Sequence, residues 1–214
     1  MRSTAKNRGW RRPAFGLGSL LVPLVFLLGG CGPPAIDPEL QILPIGGDFK
    51  LIGHDGKPFD SRSLRGSVVW VFFGYTTCPD VCPTTLARLT QAREILKKER
   101  MALLVRSAFI TVDPERDPPE TLEKYLGYFS LPVNGITGSV DEVAAVAKSY
   151  GAAFEKVESG SAGGYLVNHS TYVYLLDGQG RVRHLFGHSD SPERIAEMTM
   201  RLLRDASCFH NPAE

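Results

Sequence analysis

The chain carries 24 basic and 23 acidic residues in a length of 214, a formal net charge of +1. That length fits one ordinary domain with a modest extension. Nothing in this charge balance suggests nucleic-acid binding, which calls for a basic face.

Arg2, Lys6, Arg8, Arg11 and Arg12 open the chain without an acid among them, and an apolar stretch runs from Leu17 into Leu28-Gly29-Gly30-Cys31. The stretch is too short to cross a bilayer and Pro23 interrupts it, so residues 1–30 read as a secretory signal. The ending resembles a bacterial lipobox. That implies cleavage before Cys31, lipid on its thiol, and a protein exported to the periplasmic side of a bacterial inner membrane. Without the leader, 19 basic residues face 23 acidic ones, a net charge of −4. Residues 31–47, rich in proline and glycine, read as a lipidated tether. The folded domain is expected over residues 48–207, and residues 208–214 form a tail on which Cys208 has no evident partner.

Within the domain, Asp48 to Ile52 and Lys57 to Phe59 flank His54-Asp55-Gly56, a turn signal that predicts a small hairpin. Ser67 to Phe73 (SVVWVFF) has the length and the β-branched, aromatic character of a buried central strand. Thr84 to Arg100 then repeats apolar residues with a helical period, placing Leu86, Leu89, Ala92 and Leu96 on one stripe. Ala102 to Val112 is a second buried-strand candidate, ended by the proline-bearing loop Asp113 to Pro119. Pro119 to Phe129 reads as a short helix, Asn134 to Thr137 as a short strand, and Val140 to Tyr150 as a helix stopped by Gly151. Ala153 to Val157 is a strand candidate and Ser159 to Gly164 has the composition of a mobile loop. Thr171 to Leu176 and Arg181 to Phe186 form a hairpin about Asp177-Gly178. Ser191 to Ala206 closes the chain as an amphipathic helix with Pro192 near its start. Strands alternating with helices predict an α/β layered domain. The plan is thioredoxin-like (peroxiredoxin-related), a central mixed sheet flanked by helices, with an added N-terminal β-hairpin.

Cys78 and Cys82 fall between the central strand and the first helix. Cys78 precedes Pro79, which disfavours helical geometry there and leaves it on the loop. Cys82 precedes Pro83, a residue suited to the first helical position, so Cys82 is expected near the N-cap. There the positive end of the helix dipole would lower its thiol pKa. The thioredoxin redox motif has two intervening residues; here there are three, which on a helical turn puts both side chains on one side, roughly 5–6 Å apart at Cβ. That spacing serves either a disulfide or two-thiolate coordination of a metal. Thiolates favour copper(I), zinc or iron–sulfur clusters. Two cysteines cannot hold a cluster alone, and a structural zinc site wants four protein ligands. Copper in a small Cys₂His site fits best.

Five histidines are available for the third place. His54 in a turn, His184 on a strand, His188 just after it and His210 on the tail read as surface residues. His169 follows the mobile loop and opens a strand. In a thioredoxin-like sheet the loop before that strand lies beside the cysteine junction, which makes His169 the candidate.

The segment Phe73-Gly74-Tyr75-Thr76-Thr77-Cys78-Pro79-Asp80-Val81-Cys82-Pro83-Thr84 resembles the defining segment of the Sco/SenC family, the copper chaperones of cytochrome c oxidase assembly. Asp113-Pro114-Glu115-Arg116-Asp117 and Tyr165-Leu166-Val167-Asn168-His169-Ser170 agree with it, and the likeness runs from about residue 41 to 206. The resemblance implies one copper ion, as copper(I) or copper(II), held by Cys78, Cys82 and His169, with the histidine on a distant flexible loop. It implies delivery to the dinuclear CuA centre of cytochrome c oxidase subunit II, or reduction of that centre's cysteines by the Cys78–Cys82 redox pair. A periplasmic copper donor and a thiol reductase are the further partners it suggests. The family usually has Asp before the ligand histidine; this chain has Asn168, which removes a negative charge from beside it.

Asp80, between the cysteines, is either a negative group near the cation or partner, or a helix-capping acid. Asp113 and Asp117 either face the copper loop or the partner, or shape a turn among prolines. Tyr75 reads as packing. The alternative function is a thiol–disulfide oxidoreductase that reduces the target without transferring metal. A peroxidase of the peroxiredoxin kind is disfavoured, because Thr76-Thr77-Cys78 lacks the upstream proline of such sites. A purely stabilising disulfide is disfavoured too, since so short a loop removes little unfolded-state entropy.

Overall fold

The computed structural model describes residues 37–158 and 164–205. The leader, Cys31, residues 159–163 of the glycine-rich loop, Cys208 and His210 lie outside the described residues. Among the described residues, no helix is long and apolar enough to cross a membrane.

The elements in chain order are β1 (Lys50–Gly53), β2 (Pro58–Asp60), β3 (Val68–Gly74), α1 (Val81–Lys98), β4 (Val105–Thr111), α2 (Pro119–Leu126), β5 (Asn134–Thr137), α3 (Val140–Ser149), β6 (Phe154–Glu158), β7 (Tyr165–His169), β8 (Val173–Leu176), β9 (Val182–Phe186) and α4 (Pro192–Arg204). Seven strands form one mixed sheet in the order β2-β1-β5-β4-β3-β8-β9, and β6 pairs with β7 in a separate ribbon. β4 runs parallel to both β3 and β5, and the other pairings are antiparallel. This is the thioredoxin-like sheet with the expected N-terminal hairpin at its edge.

β3 lies in the middle of this sheet and every one of its residues is buried. The uninterrupted apolar run follows from cover on both faces. On one face Trp70 donates its indole N–H to Thr199 Oγ1 of α4 at 3.0 Å, and Phe72 meets Phe109 of β4 at 5.8 Å between centroids. On the other, Phe73 packs edge-on against Tyr150, the C-cap of α3, and against Tyr174 of β8. α3 starts with a full capping box, Ser139 and Glu142, which satisfies two of the orphan N–H groups of its first turn. Gly151, at φ +66°, ends it as expected. Ser191 caps α4 ahead of Pro192.

α2 ends at Leu126, three residues before the expected Phe129, and three further differences have a physical reason, two of them local and one set by distant contacts. α1 starts at Val81, so Pro83 is its third residue; the first-turn N–H groups have no intrahelical acceptor, and proline is tolerated throughout that turn. β4 starts at Val105 because Ala102–Leu104 forms a 3₁₀ turn. Residues 31–47, expected as a tether, are folded from Asp37 onward. Leu40 is fully buried, Leu43 N–H donates to the Val182 carbonyl at 2.8 Å, and Gly46 N–H donates to the Ser149 carbonyl at 2.7 Å. Buried Arg183 donates Nε to the Leu40 carbonyl at 2.6 Å and pairs with Asp177 and Asp205, while Arg201 of α4 pairs with Asp37 and Glu39. The proline and glycine content concealed two leucines that belong to the core. His54, expected at the surface, is half-buried and accepts the Gly135 N–H at 2.9 Å through Nδ1.

Candidate metal centre

The junction of β3 and α1 presents its two cysteines at different depths. Cys78 lies on the loop, half-buried, its N–H on the Tyr75 carbonyl at 3.3 Å. Cys82 sits in the first turn of α1 and is fully buried. Gly74, the last residue of β3, makes room for it. A Cβ at that position would stand 2.8 Å from Cys82 Sγ and 2.9 Å from the rings of Phe72 and Phe109.

His169 is the last residue of β7, opposite Phe154 in the ribbon. It does not ride on a flexible loop, nor does it open its strand: it ends one. Its Nδ1 faces the Ser170 carbonyl at 2.9 Å, and its Nε2 lies 3.6 Å from Cys82 Sγ. Ligation through Nε2 would use the tautomer that keeps the proton on Nδ1 and donates it to that carbonyl, the arrangement that fixes a ligating imidazole. Phe72 and Tyr75 meet the ring edge-on, at 6.2 and 5.7 Å between centroids. The tertiary fold thus brings Cys78, Cys82 and His169 together, with one donor atom from each, all within 4.8 Å of one another. Bonds from thiolate and imidazole to a zinc-sized ion run about 2.0–2.3 Å, which places the donors of one ion roughly 4 Å apart. The set fits one small soft ion, and thiolates with an imidazole suit copper.

The two thiols divide one proton unevenly. Cys78 is drawn well below its ordinary pKa, first by hydrogen bonding with the Cys82 thiol, then by His169 and the backbone N–H groups of Asp80 and Cys82. Cys82 is pushed upward by that same hydrogen bond to Cys78 and by its burial. The expectation of a lowered pKa at Cys82 is therefore reversed. Once α1 begins at Val81, Cys82 points into the core and the first-turn amides serve Cys78 instead. Both cysteines are free thiols.

Asp113 and Asp117 are fully buried, so neither is a surface contact for a partner. Asp117 accepts the Thr76 N–H at 3.0 Å, the Thr76 hydroxyl at 2.5 Å and the Thr111 hydroxyl at 2.6 Å. It ties the cysteine loop to the end of β4, and burial raises its carboxyl pKa against the pull of those donors. Asp113 pairs with Arg116 and accepts the Tyr165 hydroxyl at 2.8 Å. Asp80 is exposed at the N-cap of α1 without a side-chain capping bond; the Thr84 hydroxyl reaches it at 3.4 Å. Asn168 is exposed next to His169, and with Asp80 it borders a groove of about 230 Å³ that opens on Cys78.

Tyr75 does more than pack. Its ring faces His169, it lines the same groove as Cys78 and Val167, and burial raises its phenol pKa. Thr76, Thr111, Arg116 and Tyr165 were not singled out by the sequence reading. Thr76, Arg116 and Tyr165 carry a signal only as members of the segments Phe73–Thr84, Asp113–Asp117 and Tyr165–Ser170, which the fold gathers at one end of the sheet, and Thr111, the last residue of β4, lies outside all three.

Fold and site together define a thioredoxin-like domain with a Cys-x₃-Cys pair at the first long strand–helix junction and a histidine brought in from a separate ribbon. The chain belongs to the SCO1/SenC family, whose model matches residues 38–204. It is 37% identical over 154 residues to an SCO2-like protein of Rickettsia felis, covering 72% of this chain and 74% of that one. The structure of Bradyrhizobium japonicum ScoI with copper bound is 38% identical at a TM-score of 0.66, covering 73% of this chain and 98% of that one. BsSco, described as a Sco-family cytochrome c oxidase assembly protein with a disulfide switch, is 26% identical at a TM-score of 0.59, covering 76% of this chain and 95% of that one.

Proposed function

We propose that this protein is a copper chaperone of cytochrome c oxidase assembly that holds one copper ion through Cys78, Cys82 and His169. The observation that carries this reading is the convergence of two thiols and an imidazole nitrogen within 4.8 Å. The copper bound in Bradyrhizobium japonicum ScoI and the assembly role stated for BsSco support it. Delivery to the CuA centre of subunit II extends the reading. The half-buried Cys78 meets the incoming ion first, Cys82 closes from below after giving up its proton, and His169 completes the set from the ribbon. Transfer then runs outward through Cys78, the donor nearest solvent, by exchange with the thiolates of the target.

Export and lipid anchoring at Cys31, on the periplasmic face of the inner membrane, belong to the same proposal. They rest on the basic leader and the Leu28-Gly29-Gly30-Cys31 ending.

The test is copper titration of the reduced protein, followed by visible absorption and electron spin resonance. One equivalent should bind, with a thiolate-to-copper(II) band that disappears in Cys78→Ser or Cys82→Ser and changes in His169→Ala. Retention of one tight equivalent without both cysteines would overturn the proposal. A second reading, thiol–disulfide exchange on the target, is favoured by the half-buried, low-pKa Cys78 beside a second free thiol. Rapid reduction of an oxidised target peptide by metal-free protein would establish it, and absence of exchange would remove it.

A further inference from the structure

The β6–β7 ribbon that carries His169 is not part of the main sheet. Within it only Val167 is fully buried, with Phe154 and Tyr165 partly buried against the core, so apolar burial alone places the ribbon weakly. The loop after β4 does place it. The Arg116 guanidinium lies 3.7 Å from the centroid of the Tyr165 ring, and its Nη1 donates to the Tyr165 carbonyl at 3.0 Å. Its Nε pairs with Asp113, and the Tyr75 ring stands 5.8 Å from the guanidinium. The Tyr165 hydroxyl donates to Asp113, and Lys156 of β6 pairs with Glu115 while its ammonium sits 4.9 Å from the Tyr165 ring. The contacts of Tyr165 and Lys156 join the ribbon to residues 113–116, Arg116 also faces Tyr75 just after β3, and the next residue, Asp117, holds Thr76 of the cysteine loop. Both halves of the donor set therefore hang from one five-residue loop.

We propose that Arg116, latched onto Tyr165 between the ribbon and Tyr75, is a positioning residue that sets how closely His169 approaches the two thiols. A planar guanidinium can stack on a ring and donate in a fixed fork at once, which an ammonium cannot. Two thiolates suffice for copper(I), whereas copper(II) depends more on the imidazole. Loosening the latch should therefore weaken copper(II) binding and leave copper(I) binding in place. What the latch does for metal rests on the copper reading above; the latch itself does not.

The test compares wild type with Arg116→Lys and Tyr165→Phe in two arms. In metal-free protein, amide hydrogen exchange is followed across β3, β4, β6 and β7. In copper-loaded protein, the copper(II) charge-transfer band and both copper affinities are read, with copper(I) measured by chelator competition. Arg116→Lys should speed exchange in β6 and β7 about 10-fold with β3 and β4 unchanged. It should also shift the band and lower copper(II) affinity by about 10-fold, the lower end of what losing an outer-shell partner costs, with copper(I) affinity unchanged within about twofold. Tyr165→Phe, which keeps the stack and loses the hydroxyl's bonds to Asp113 and, at 3.5 Å, Glu115, should move the same readouts by less. Unchanged ribbon exchange in Arg116→Lys, equal loosening of ribbon and core, or equal loss of both copper affinities would each overturn the proposal. The exchange arm decides on the latch even in a protein that takes up no copper, and that outcome would overturn the copper reading alone.

Discussion

His169 Nε2 lies 3.6 Å from Cys82 Sγ although 87 residues separate them in the chain. Cys82 is buried beneath this contact, so Cys78 is the thiol left open to reagents and partners.

Alkylation should follow that asymmetry. An ordinary thiol has a pKa of about 8.5 and loses thiolate roughly tenfold per unit below it. The Cys78 pKa is lowered, so its thiolate persists as pH falls and is lost only below the depressed value. Its reaction with iodoacetamide should stay level from about pH 8.5 to pH 6, while Cys82, protonated and buried, reacts far more slowly. Peptide mapping of partly modified, metal-free protein reads this directly. Faster labelling at Cys82 would contradict the assignment.

Gly74→Ala tests the fit under Cys82. The backbone there is not left-handed; the glycine is required by space, since a Cβ would come within 2.8–2.9 Å of Cys82 Sγ and two aromatic rings. Overpacking of this kind costs about 1–3 kcal/mol. The urea midpoint should drop accordingly and the copper(II) spectrum should change with it. Wild-type behaviour in both measurements would mean that the junction yields more freely than its packing implies.

Asp117→Asn replaces one acceptor oxygen by an N–H₂ donor that must face the hydroxyls or the N–H now bonded to the carboxylate. A buried mismatch of this sort costs about 1–3 kcal/mol. Because Thr76 lies two residues before Cys78, copper binding should weaken as well as stability. A variant that unfolds earlier yet binds copper as wild type does would confine Asp117 to a structural role.

Leu40→Ala separates a folded segment from a tether. If residues 37–47 were unattached, the change would be near neutral. With Leu40 fully buried, it should cost about 2–5 kcal/mol, as other large-to-small core substitutions do. Equilibrium urea unfolding of the full chain distinguishes the two outcomes.

Much of the sheet was legible because its signals are local. Seven consecutive apolar residues in β3 need cover on both faces, and Ser139, Glu142 and Gly151 mark the ends of α3 within a turn of where they act. Leu40 was missed because two leucines in a proline-rich stretch show no periodicity. Its carbonyl accepts from Arg183 Nε, 143 residues away, a contact no local pattern shows. Arg116 and Tyr165 were passed over for the same reason, since neither residue type at its own position announces a stack with the other.

By itself the sequence determined the donor inventory, the junction that carries Cys78 and Cys82, and the alternation of strands and helices. These depend on residue types and on spacings of a few residues, which set local geometry directly. Only the tertiary structure decided which thiol is buried, which nitrogen of His169 faces the thiols, and that Asp113 and Asp117 face inward. Those are properties of distant segments in contact. A thiol's proton, an imidazole's tautomer and a carboxylate's role are set by the groups packed against them: here the Ser170 carbonyl, the space above Gly74 and the hydroxyls of Thr76 and Thr111.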